Sequence, residues 1–124
     1  MTIAYWCVLI AAFLPILFTG FAKASGKGFN NNKPRAFQER LEGFRQRAHW
    51  AHLNSFEAFP PFAAAVIIAH QLQFVQARID QLAMAFIVLR LVYGVLYIID
   101  QATLRSIVWL GAVGCWVAMF FIGK

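Results

Sequence analysis

Residues 47–62 read RAHWAHLNSFEAFPPF. Apolar side chains dominate the stretch, yet it holds one carboxylate, Glu57, with Asn54 three residues before it and Pro60-Pro61 just after. From Ala58 to Phe74 only His70 can ionise. The run 48–74 is therefore long enough to cross a hydrocarbon layer of about 30 Å at about 1.5 Å per residue. A carboxylate at that depth is costly without a partner or a purpose. The two prolines remove amide donors from the helix interior and free the carbonyls of Phe56 and Glu57. In lipid those carbonyls need partners from other helices, water or a ligand.

Composition agrees with a membrane solvent. The chain has 124 residues, 61% of them hydrophobic and only 13% charged, against about 25% charged in soluble domains. A single domain of this size has too little interior to hide so much apolar surface from water. Seven of the eleven Lys and Arg residues fall between Lys23 and Arg47. Long apolar runs flank that basic block, which argues against a nucleic-acid surface. Cys7 and Cys115 sit in apolar runs and read as packing thiols. No CxxC or HExxH spacing occurs, so no metal is expected.

Working outward, 2–22 is an uncharged run interrupted by Pro15. It lacks the basic leader and the small-residue cleavage site of a signal peptide. Residues 23–33 form a breaker-rich linker with Gly26, Gly28 and Asn30–Asn32. Pro34 suits the first turn of a short amphipathic segment in which Phe37, Leu41 and Phe44 recur at i, i+4 and i+7. After 48–74 comes a polar turn at 75–81, then an apolar run at 82–99 holding Arg90, a tight turn at 100–103, and a last run at 104–122. The expectation is one all-α domain over 1–124: an integral membrane four-helix bundle in up-down antiparallel order. Basic residues concentrate in loop 23–47, which places that loop in the cytoplasm and both termini outside. The short loops suit a bacterial inner membrane.

Counting residues gives depth. Glu57 lies ten residues past Arg47, and Arg90 ten residues before Asp100, so each stands about 15 Å from the cytoplasmic surface. An acid and a guanidinium at matched depth suggest an ion pair. Arg90, Tyr93 and Tyr97 share one helix face, Arg47, Asn54, Glu57 and Pro61 form a stripe on another, and Arg105-Ser106 stand at the cytoplasmic start of the last run. Guanidinium forks, phenols, an amide and one carboxylate suit a small polar ligand bearing carboxylates and an ammonium group.

Ala51-His52-Leu53-Asn54 followed by Glu57 and Pro61 resembles the signature of the MAPEG family, membrane-associated proteins of eicosanoid and glutathione metabolism. Arg90, Tyr97 and Arg105-Ser106 resemble its second block. The likeness runs from about Thr19 to Ser106. Trp50 stands where eukaryotic members usually carry a second arginine, and Tyr93 where some carry histidine. The resemblance implies a homotrimer with glutathione, as co-substrate, between subunits near the cytoplasmic face. It implies glutathione contacts from Asn54, Glu57, Arg90, Tyr93, Tyr97, Lys23 and Arg47, with Arg105 and Ser106 near the thiol as the catalytic pair. The implied activity is a glutathione-dependent transferase or peroxidase acting on hydrophobic electrophiles from the lipid phase.

Two other readings of the same residues remain. The cavity could bind lipids or partner proteins without catalysis, or the polar residues could only lock the helices together. In the second case Glu57 and Arg90 fix packing, Tyr97 anchors at the interface, and Arg105 snorkels to the headgroups. His49, His52 and His70 read as plain interfacial residues.

Overall fold

The computed structural model describes residues 1–25 and 31–124. The expected breakers Gly26, Gly28 and Asn30 lie outside the described residues. Among those described, the chain forms five helices: α1 Ile3–Ser25, α2 Pro34–Glu39, α3 Gly43–Gln71, α4 Gln76–Ile98 and α5 Ala102–Ala118. Two of them, α1 and α4, are long and apolar enough to cross a membrane; α5 is apolar but shorter.

Helix limits differ from the expected apolar runs in two places. α4 begins at Gln76, so Arg78 and Asp80 lie on its first turns and not in a loop. The segment QARIDQL is made largely of good helix formers, and propensity carries the helix beyond its apolar part. The amphipathic set 34–45 is broken: α2 stops at Glu39, and α3 starts at Gly43, whose φ of +64° is adopted most easily by a residue without a Cβ. Phe37 and Leu41 are buried with Ala22 and Ala48, whereas Phe44 sits on α3 with its ring 6.1 Å from that of Phe21. The proline-bearing segments stay helical, with Pro15 inside α1 and Pro60-Pro61 inside α3.

Successive long helices run antiparallel, as their end contacts show. At one end Thr2 Oγ1 meets His70 Nε2 at 2.9 Å, and the Ala4 amide donates to Asp80 Oδ1 at 2.9 Å. The Val75 amide donates to the Gly123 carbonyl there at 3.1 Å. At the other end Arg47 Nε donates to the Ile98 carbonyl at 2.9 Å, and Gln38 bonds Thr19. His70 at this end also bonds the Val66 carbonyl and stacks on Tyr5 at 4.0 Å. Likewise His52 Nδ1 lies 2.8 Å from the Pro15 carbonyl, tying α3 to the proline turn of α1.

The main core joins α1, α3, α4 and α5. Ala4 and Ala11 of α1 and Ala65 and Ala69 of α3 are almost wholly buried, so small side chains let these backbones approach closely. Phe62 and Phe86 stack nearly parallel at 3.9 Å between α3 and α4. Where α1 meets α4, the Phe18 ring occupies the space that a Cβ on Gly94 would need. Cys7 and Cys115 are buried and unpaired. α5 packs mainly on α4 and touches α3 less extensively, which leaves a groove between α3 and α5.

Candidate functional site

Three helices bring polar side chains to that groove. On α3, Trp50, Asn54, Glu57 and Pro61 recur at i, i+4, i+7 and i+11, the spacing of one helix stripe. On α4, Arg90, Tyr93 and Tyr97 follow the same rule, and on α5 so do Arg105, Trp109, Ala112 and Trp116. The stripes face one another and line three adjoining hollows. The innermost, about 170 Å³, is bounded by Asn54, Glu57, Pro61, Arg90 and the rings of Trp109 and Trp116. The second, about 350 Å³, lies between Trp50, Asn54, Glu57, Tyr93 and Tyr97. The third, about 210 Å³, reaches Arg105, Ser106 and Trp109.

A continuous ladder of contacts runs along the groove. Arg90 is only 2% exposed, and its Nη2 donates to Asn54 Oδ1 at 2.7 Å. Asn54 Nδ2 donates in turn to Glu57 Oε2 at 3.3 Å. The Arg90 guanidinium lies 4.2 Å from the Tyr93 ring centroid, Tyr93 meets Tyr97 edge to face at 5.7 Å, and the Arg105 guanidinium lies 4.3 Å from the Tyr97 centroid. Guanidinium over a phenol face is attractive and holds the fork of donors in a set plane.

The expected direct ion pair is corrected. Among the described residues no salt bridge joins Glu57 to Arg90; the Asn54 amide stands between them and serves each with its matching half. An amide carries an acceptor and two donors, so it gives the buried guanidinium one acceptor while Glu57 stays exposed at the groove. The carboxylate therefore remains open to a ligand.

Asn54, Glu57, Arg90, Tyr93, Tyr97, Arg105 and Ser106 thus come together. Lys23 and Arg47 do not line any of the three hollows. Arg47 belongs to the α3 stripe by spacing, but its guanidinium holds the Ile98 carbonyl at the end of α4, a usual role for a cation at a helix C-terminus. Ser106 Oγ donates back to the Ala102 carbonyl at 3.1 Å. The tryptophan walls were not expected. Their signal is the repeat of Trp109 and Trp116 at i and i+7 on the face of Arg105, and of Trp50 one turn before Asn54.

A separate hollow of about 490 Å³ lies on the other flank of α3, between Arg35, Glu39, His49, His52 and Phe56. His49 Nδ1 is buried there without a hydrogen-bond partner. Among the described residues no group of three or more His, Cys, Asp or Glu side chains is placed to hold a metal ion.

A family model described as the MAPEG family matches residues 3–123, nearly the whole chain. No individual curated protein matches the chain, and no solved structure does.

Proposed function

Because the chain belongs to the MAPEG family, membrane-associated proteins that include glutathione transferases, we propose that it is a glutathione-dependent membrane transferase or peroxidase for hydrophobic electrophiles. The observation that carries this reading is the ladder from Glu57 through Asn54, Arg90, Tyr93 and Tyr97 to Arg105. It offers an exposed carboxylate for an ammonium group, and guanidinium forks and phenols for carboxylates. Glutathione bears two carboxylates, an ammonium group and a thiol, so the donor set fits it.

In this reading Glu57 and Asn54 take the amino end, and Arg90, Tyr93 and Tyr97 hold the carboxylate and peptide groups. Arg105 and Ser106 stand at the sulfur, where a cation and a hydroxyl donor favour the thiolate. Once bound, the thiol supplies the nucleophile: a carbon–sulfur bond forms, the leaving group departs with its electron pair, and the thiol proton passes to water. The groove's tryptophan walls let an apolar electrophile reach the sulfur from the lipid.

The assembly is proposed with it. The four long helices form an antiparallel four-helix bundle in the membrane, and three copies associate. Glu57 lies exposed on a single copy, and covering it with a second copy removes a bare carboxylate from hydrocarbon. Lys23 and Arg47 then act at the rim, toward the ligand held by the neighbouring copy. The bacterial inner membrane, with loop 23–47 cytoplasmic and both termini outside, completes the proposal.

One observation favours a second reading, a non-catalytic protein that binds lipid or partners in the same groove. The Ser106 hydroxyl is committed to its own helix, and the Arg105 guanidinium lies over Tyr97, so neither is poised for a sulfur. Glutathione titrated into detergent-purified protein tests both readings. At a hundredfold excess over Kd it should stabilise the fold by about 2.7 kcal/mol. No stabilisation up to millimolar glutathione sinks the transferase reading; binding without turnover of an aryl halide or a lipid hydroperoxide selects the second.

A further inference from the structure

The hollow on the other flank of α3 is not used by the thiol reading. Its polar lining comes from α2, with Arg35 and Glu39, and from the first turns of α3, with His49 and His52. Its volume is about 490 Å³, within the roughly 300–1,000 Å³ typical of small-molecule sites. His49, Leu53 and Phe56 recur at i, i+4 and i+7, so one stripe of α3 leads from the polar end about 10 Å into the apolar run. Leu53 and Phe56 are 44% and 55% exposed. The hollow is thus polar at its α2 end, within the basic segment 33–47, and apolar further along α3.

Arg35 and Glu39 stand one turn apart on α2, and among the described residues no ion pair joins them. The lining therefore carries one guanidinium and one carboxylate, a balance that suits a zwitterion better than an anion. A carbonyl only accepts, so the 2.8 Å contact to Pro15 puts the proton of a neutral His52 on Nδ1 and leaves Nε2 as an acceptor. His49 Nδ1 is buried without a partner, a costly state until a ligand or water supplies one. We propose that this hollow binds a phospholipid with a phosphoethanolamine headgroup. The Arg35 guanidinium takes the phosphate, and His49 offers its unpartnered nitrogen to a phosphate oxygen. The Glu39 carboxylate and His52 Nε2 accept from the primary ammonium, and an acyl chain lies along Leu53 and Phe56. A trimethylammonium head has no N–H for those acceptors, and such heads are ordinarily held by aromatic faces; the only phenyl ring in the lining, Phe56, stands on the acyl side. An anionic head brings no cation to Glu39 and is repelled by it. The site needs the membrane but not the thiol reading.

The test titrates the lipid-depleted full chain in detergent with dioleoyl phosphatidylethanolamine, phosphatidylcholine or phosphatidylglycerol and counts bound lipid by native mass spectrometry. The native chain should hold the ethanolamine lipid about fivefold more tightly than either of the others, the weight of one partly exposed charge pair. Glu39→Gln should abolish the preference over the choline lipid and strengthen binding of the glycerol lipid. Arg35→Gln should weaken all three by about fivefold, since the phosphate is common to them. Both residues are exposed, so each variant should keep the native thermal midpoint. Equal binding of the ethanolamine and choline lipids by the native chain, an unchanged preference in Glu39→Gln, or native affinity in Arg35→Gln overturns the proposal. Glycerophosphoethanolamine, the head without its chains, should displace the lipid only in large excess. Displacement at equal concentration makes the hollow a site for a soluble phosphate ester and overturns the lipid assignment.

Discussion

Removing the Asn54 side chain tests the bridge at the centre of the groove. In Asn54→Ala, Arg90 loses its 2.7 Å acceptor while 2% exposed. Hydrogen bonds to charged groups contribute about 1.5–3 kcal/mol, and a buried donor left alone loses most of that. The guanidinium keeps Tyr93 beneath it at 4.2 Å, which retains roughly 1 kcal/mol of attraction. The second bond, from Asn54 to Glu57, is 3.3 Å long and exposed, and adds only a few tenths by the steep weakening of long contacts. The expected loss is therefore about 2 kcal/mol, close to a thirtyfold shift in the folding equilibrium. Denaturation in detergent, followed by tryptophan emission, measures it. A double-mutant cycle separates the bridge from an ion pair. Asn54→Ala with Arg90→Met should couple by about 1–2 kcal/mol, and Glu57→Gln with Arg90→Met by less than about 0.5 kcal/mol. A larger coupling for Glu57–Arg90 than for Asn54–Arg90 refutes the bridged arrangement.

Other outcomes follow from separate parts of the molecule. Gly94→Ala forces a Cβ into the Phe18 ring and should destabilise by about 1–3 kcal/mol, as overpacking does, against the stabilisation that Ala ordinarily brings to a helix; a higher midpoint in thermal unfolding contradicts the close approach of α1 and α4. Asp80→Ala deprives the Ala4 amide and the Gln76 side chain of their acceptor and should destabilise by about 1 kcal/mol, the usual loss of a helix cap; unchanged stability removes Asp80 from that role. Gln73 has a φ of 56°, so Gln73→Gly should hold or raise stability by up to about 1 kcal/mol, and a fall argues against the left-handed turn. Glu57→Gln should weaken glutathione binding while leaving stability nearly unchanged; Arg105→Ala should slow turnover with binding nearly retained, and turnover equal to the native rate takes Arg105 out of the chemistry.

The helical class, the antiparallel order and the existence of a polar constellation were legible in the residues. Runs such as 2–22 are too long and too apolar for a small water-soluble core, and period-3.6 spacing puts Asn54 with Glu57, and Arg90 with Tyr93 and Tyr97, on shared faces. The family match over residues 3–123 agrees with the resemblance read from Asn54, Glu57, Pro61 and Arg105. Limits of the helices were less legible, because polar residues such as Arg78 and Asp80 continue a helix where hydropathy alone ends it.

Depth counting brought Glu57 and Arg90 to the same level, but level is one coordinate of three. Which partner each side chain takes depends on how α3 faces α4 across the Phe62–Phe86 stack, and on how α1 seats Phe18 on Gly94 of α4. The packing of α3 on α4 inserts Asn54 between the charges and turns the Arg47 guanidinium onto the end of α4, and the packing of α5 on α4 brings Trp109 and Trp116 to the groove. Periodicity along one helix determines which residues share a face; only the packing of helix on helix decides what that face meets.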